Sequence, residues 1–279
     1  MSAEVLTCAE GIEIIHPGHP RGAFRFCLFD FDGTLSLIRE GWQGVMIPMM
    51  VEFLRETGSG ETDEELEAIV SEFVTRLTGK QTIYQMIRLR EEVEKRGGKA
   101  LDPLEYKHIY LQRLWKRIEH RVAGLKNGSI APDELLVTGA REMLQGLRAR
   151  GVSLFLASGT DEPFVRDEAE ALGIASFFDG GIYGALDDYR RFSKQIIIER
   201  ILREHDLTGP ELLTFGDGFV EIENTKQVNG VAVGVATDEV GRVTIDQWKR
   251  QRLIQAGADV IIPHFGNHEE LLAYLFAEE

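Results

Sequence analysis

Five short apolar runs punctuate the chain, at 24–29, 152–157, 212–215, Val231–Val235 and Val260–Ile262, each bounded by glycine or polar residues. Unbroken runs of this length predict strands buried on both faces, as in a parallel sheet. Helical stripes fill the gaps among the last four. Ala140, Met143, Leu144 and Leu147 form one, ending before Gly151; Phe164, Val165, Ala169 and Leu172 form another, ending at Gly173; Ile197, Ile198, Ile201 and Leu202 form a third. Strands alternating with helices predict an α/β doubly wound fold. In such sheets ligands bind beyond the carboxyl ends of the strands. A small further strand is expected at 13–15, and the glycine-rich stretch from Gly180 to Gly184 reads as a turn between core elements.

More than a hundred residues separate the first two runs, too many for a simple crossover. Much of this insertion has helical spacing. Thr62 and Glu65 make a capping box ahead of Leu66, Ile69, Val70, Phe73, Val74 and Leu77, and further helices are predicted at 45–54, 82–95 and 103–119. Asn127-Gly128-Ser129 reads as the return. The division expected is an α/β core of 1–37 and 131–279 with an all-helical accessory domain of 38–130. An inserted unit of this kind either closes over a site and excludes water or serves as a static support.

Composition narrows the class. The chain has 279 residues, 43% hydrophobic and 28% charged, as in ordinary globular proteins. No apolar stretch approaches the ~18–20 residues that span a bilayer. The amino-terminal residues lack the basic and apolar regions of a secretory signal, and Cys8 and Cys27 are the only cysteines, which suits a reducing cytoplasm. A net charge of −15 argues against general binding of nucleic acid or anionic membranes, while leaving room for a small anionic substrate held by local cations.

The chemistry gathers at the ends of the predicted strands. The first runs into Asp30-Phe31-Asp32-Gly33-Thr34, the second into Ser158-Gly159-Thr160, and the third into Gly216-Asp217-Gly218-Phe219-Val220-Glu221. Carboxylates at the edge of an apolar core need a cation or a hydrogen-bonding partner. Lys194, behind its N-capping Ser193, opens a helix from which it can reach the same edge. Two aspartates, a threonine–serine pair, a lysine and further acids are the parts of a magnesium-assisted phosphoryl site. His16-Pro-Gly-His19 and the pair His264 and His268 have spacings that some metal sites use, but without cysteine partners or a helical HExxH context.

In this order, the segments resemble the haloacid dehalogenase superfamily, in the phosphatase and β-phosphoglucomutase-like branch with a helical cap. Asp30-x-Asp32-Gly33-Thr34-Leu35 matches its first motif, Ser158 the second, Lys194 the third and Gly216-Asp217-x-x-x-Glu221 the fourth. Two departures stand out: Glu221 replaces the usual aspartate, and no proline follows Lys194, so Arg190 and Arg191 are alternatives for the third motif. The resemblance implies Asp30 as nucleophile, Asp32 as general acid and base, and Lys194 as the neutralising cation. It implies phosphate contacts from Thr34, Ser158 and Gly159, and Mg²⁺ held by Asp30, the Asp32 carbonyl and Asp217 with Glu221 at or behind it. Asp32 argues against a dehalogenase, which lacks that acid. The Thr78–Thr82 stretch, with Lys80, is either the substrate-facing cap loop or a polar helix–helix turn; Arg39, Glu40, Trp42 and Gln43 are placed to line the hinge, with ordinary cap packing the alternative for Trp42. The expected activity is a cytoplasmic phosphatase for a small phosphorylated metabolite. A phosphomutase and a non-catalytic binding module are the alternatives.

Overall fold

The computed structural model describes residues 6–186, 188, 193–206 and 208–278. In chain order its strands are β1 (Leu6–Ala9), β2 (Ile12–Ile14), β3 (Phe26–Phe29), β4 (Ser153–Asp161), β5 (Gly181–Ala185), β6 (Leu212–Gly216), β7 (Val231–Val235) and β8 (Val260–Ile262). Its helices are α1 (Gln43–Arg55), α2 (Asp63–Leu77), α3 (Thr82–Lys95), α4 (Pro103–Asn127), α5 (Ala140–Ala149), α6 (Glu162–Ala171), α7 (Lys194–Glu204), α8 (Phe219–Gln227), α9 (Gln247–Gln255) and α10 (His268–Phe276). The strands form one sheet of order β1-β2-β8-β7-β6-β3-β4-β5, parallel except where β1 and β2 extend it antiparallel beyond β8.

Side-chain alternation along β3 shows why helices cover both faces. Cys27 and Phe29 join the buried cluster of Met143, Leu144, Leu147, Val165 and Leu271 from α5, α6 and α10. Phe26 and Leu28 pack instead with Ile197, Ile198 and Ile201 of α7, and α8 and α9 add Ile222 and Leu253 against Ala232 and Ile261. Each of the Val, Leu, Ile, Phe and Met side chains among these contributes roughly 1.5–3 kcal/mol on burial. Phe29 stacks on Phe215 with centroids 4.9 Å apart and planes 9° apart, tying the two strands that carry the acids.

Two expectations change. The Gly180–Gly184 stretch is not only a turn: it enters the edge strand β5. Glycine is needed at 180 because a Cβ there would meet the Phe155 ring at 2.4 Å. The helix expected at 103–119 continues to Asn127, since Val122 and Leu125 prolong its buried stripe, and Gly128 stops it in the left-handed region at φ 77°. β1, α8, α9 and α10 were not marked by the hydrophobic pattern.

Helices α1–α4 form the insertion between β3 and α5, and their apolar faces, including Met49, Leu54, Val70, Phe73, Met86 and Leu114, join the cluster under the sheet. The chain leaves and re-enters the core through adjacent segments. Leu37 N–H donates to the Leu135 carbonyl at 2.8 Å, and Val137 N–H to that of Leu35 at 2.9 Å. Arg121 of α4 braces the exit by donating to the carbonyls of Ile38 and Glu40.

Candidate active site

Strand register brings the chemistry together. Phe29 lies level with Leu156 on one side and Phe215 on the other, so Asp30, Ala157 and Gly216 come next at the same height. Asp30 N–H donates to the Phe215 carbonyl at 2.9 Å, prolonging the ladder by one residue. Gly33, at φ 78°, then turns the chain back beneath Asp217; a Cβ here would sit 2.3 Å from the Asp217 carboxylate.

The two aspartates of the first strand end occupy different environments. Asp30 is buried and accepts from Lys194 Nζ at 2.6 Å, while the same ammonium donates to Glu221 at 2.8 Å. Burial pushes the Asp30 carboxyl well above its usual range; Lys194 opposes this, and Glu221 and Asp217 add to it. Lys194 remains protonated: burial pulls its pKa down, but Asp30 and Glu221 raise it further. Asp32 lies on the other side, accepting from Thr160 Oγ1 at 2.8 Å and Ser158 Oγ at 3.2 Å, with Arg39 Nε 3.7 Å from its second oxygen. Arg39 is itself fixed by two hydrogen bonds to the buried Glu168, at 2.6 and 3.1 Å.

Asp30, Asp217 and Glu221 present carboxylate oxygens within 4.8 Å of one another. Asp217 also accepts from Lys249 Nζ at 2.8 Å, and Lys249 reaches Glu239 at 2.6 Å. Burial raises the Glu239 pKa against the pull of Lys249, and Asp217 adds to the rise. Four carboxylates thus face two ammonium groups, and the excess of two negative charges is what one divalent ion neutralises. An all-oxygen donor set suits Mg²⁺.

Asp30, Asp32, Lys80, Ser158, Gly159, Lys194 and Asp217 all line one cavity of about 110 Å³. Glu221 does not line it; it stands behind Lys194 and accepts the Gly218 N–H at 2.7 Å. Thr34 is also set back, fully buried, its hydroxyl accepting from Asp217 N–H at 3.0 Å and lying 3.5 Å from Asp30. This placement makes Thr34 a brace between the Asp30 and Asp217 strand ends. Lys80 projects beside the Tyr84 ring, 6.0 Å from its centroid. Arg190 and Arg191, the alternatives to Lys194, lie outside the described residues.

Several lining residues were not singled out as site residues in the sequence. Lys107 of α4 pairs with Asp161 across the cavity, and Tyr110, one turn on, is buried beside it. Thr160 lies in the last residues of β4 and Glu239 four residues beyond β7, so the rule that exposed Asp30 and Asp217 reaches them too. Lys249 had no such signal, coming from the first turn of a mostly polar helix.

Lys194 also carries a stability prediction. Lys194→Met strands two buried carboxylates without their shared cation, which costs about 3–5 kcal/mol. Urea unfolding in EDTA reads this directly, and a wild-type midpoint would show that the ion triad is not formed.

The comparisons with known proteins bear on the fold. A protein of Haemophilus somnus described as a predicted phosphoglycolate phosphatase superposes with TM-score 0.58 at 15% identity, covering 89% of this chain and 98% of its own. CbbY of Rhodobacter sphaeroides, solved with phosphate, gives 0.56 at 21% identity over 90% and 99%. β-Phosphoglucomutase of Clostridium difficile gives 0.52 at 13% over 83% and 98%. At these identities the likeness is one of fold. No curated protein matches the sequence. The family model for haloacid dehalogenase-like hydrolases matches residues 24–228, most of the chain and every strand end that lines the cavity except the one bearing Glu239, and the chain therefore belongs to that family.

Proposed function

We propose that the protein is a magnesium-dependent phosphatase for a small phosphate monoester, a sugar phosphate or short phospho-acid, working through an aspartyl-phosphate. The observation that carries this reading is the split between Asp30 and Asp32: one cavity, two carboxylates, one set among a lysine and acids and the other among hydroxyls. In this reading α1–α4, within 38–130, are the cap, and 1–37 with 131–279 are the core.

Asp30 attacks phosphorus as the ester P–O bond breaks, and Asp32 gives its proton to the departing alkoxide. Water then attacks the same phosphorus, returns a proton to Asp32 and frees Asp30 with release of phosphate. Thr160 and Ser158 orient Asp32 for both transfers, and Lys194 holds Asp30 in place and offsets charge on the transferred group. The Asp30 and Asp217 carboxylates and the Asp32 backbone carbonyl, backed by Glu221, would hold Mg²⁺, which when bound supplies Lewis-acid neutralisation of the phosphoryl oxygens. The cavity volume and its enclosure by Thr78, Gly79 and Lys80 support a small substrate, and the cysteine usage supports a cytoplasmic one.

The test is a panel of phosphorylated metabolites assayed for free phosphate with Mg²⁺ and with EDTA. Turnover of at least one monoester, lost in EDTA, is expected. Metal-independent turnover, or silence of folded protein across the panel, overturns the reading. An isomerised sugar phosphate without stoichiometric phosphate release replaces it with a phosphomutase.

A further inference from the structure

Helix α9 faces the site with two cations one turn apart. Lys249 reaches Asp217, and Arg252 reaches across to the insertion. The Arg252 guanidinium donates to three backbone carbonyls at the carboxyl end of α2: Thr75, Arg76 at 2.8 Å and Thr78 at 3.0 Å. Carbonyls in the last turn of a helix lack partners within it and carry its partial negative charge. A planar fork of five N–H donors satisfies several of them at once, as an ammonium cannot. The fork is held in orientation by the rings of Phe219 and Trp248, 4.5 and 5.1 Å from its central carbon.

The segment just beyond α2 gives this contact its meaning. Thr78, Gly79 and Lys80 line the cavity. Their backbone rests on the loops that carry the acids and hydroxyls: a Cβ on Gly218 would lie 3.0 Å from Gly79 Cα, and one on Gly159 would lie 3.1 Å from the Lys80 carbonyl oxygen. The wall of the cavity is therefore fixed at the point where α2 ends.

We infer that Arg252 is a positioning residue that clamps the end of α2 to the core and so holds the 78–82 loop closed over the cavity. Its guanidinium donates to backbone carbonyls alone, that of the lining Thr78 among them, so its effect falls on enclosure of the substrate. Lys249 on the same helix secures Asp217, so α9 sets the loop and the acid relative to one another.

Hydrogen–deuterium exchange on the full chain tests this. In Arg252→Ala, amides of 74–82 should exchange at least about tenfold faster, the equivalent of one charge-assisted hydrogen bond, while β3 and β6 keep their protection. Arg252→Lys, which retains charge without the fork, should show a smaller increase confined to the same amides. Unchanged exchange over 74–82 in Arg252→Ala overturns the inference. If the alanine variant loosens the sheet as well, the lysine variant decides: faster exchange limited to 74–82 supports the clamp, and wild-type exchange refutes it. A kinetic arm, which rests on the phosphatase reading, expects KM for an alkyl phosphate to rise about tenfold with a smaller loss in kcat; a fall in kcat alone counts against a role in enclosure. Absence of all turnover in the wild-type protein would defeat the phosphatase reading and leave the exchange result to judge the clamp.

Discussion

Asp30→Asn should abolish turnover while leaving the fold intact. The amide keeps the shape of the side chain beside Lys194 but has no oxygen able to attack phosphorus. Removing a nucleophile from a site that works as a unit costs on the order of 10⁶ in rate. The measurement is twofold: phosphate release, and acid-quench trapping of labelled phosphoenzyme. Neither product nor labelled protein should appear, and urea unfolding should show a cooperative transition with the wild-type slope. A labelled phosphoenzyme that persists in Asp30→Asn would remove this residue from its assigned role.

Asp32→Asn should behave differently, because the two carboxylates have different partners. The variant keeps Asp30 on Lys194 and Asp217 on Lys249 and loses only the group that moves the proton. General acid–base assistance is worth roughly 10²–10⁴ in rate, so hydrolysis of an alkyl phosphate should slow by that factor. The penalty should shrink for p-nitrophenyl phosphate, whose leaving group departs without a proton. Equal losses for both esters would exclude proton transfer as the function of Asp32.

The parts of this molecule that were legible in the sequence are those where one residue type has one physical explanation. The buried parallel strands announce themselves because both faces are apolar, and their polar ends therefore stand out as Asp30, Ser158 and Asp217. The capping box of α2 is local, and it forms as read, with Thr62 and Glu65 exchanging hydrogen bonds. The edge strand β5 was hidden by glycines whose causes lie elsewhere in the fold: the Phe155 ring for Gly180 and the Glu162 backbone for Gly184. Lys249 and Arg252 were hidden for a related reason. Their helix buries little apart from Leu253, so its polar pattern resembles any solvated surface helix until the fold brings Asp217 and the end of α2 beside it. Thr34 adds a contact that its motif did not suggest: its hydroxyl accepts from the Asp217 amide.

The paired segments 35–37 and 135–137 have a consequence of another kind. Because they hydrogen-bond to each other, the chain between them starts and finishes at one place. To the sheet, the intervening helices are a loop with its ends already joined. The entropic cost of closing such a loop grows only with the logarithm of its length, about 0.6 kcal/mol for each doubling. The core is therefore nearly indifferent to how much chain is inserted there, and large gains or losses of material at this junction leave the registry of β3 with β4 and β6 undisturbed. The enclosure can diversify in size and shape while the carboxylates beneath it keep their spacing.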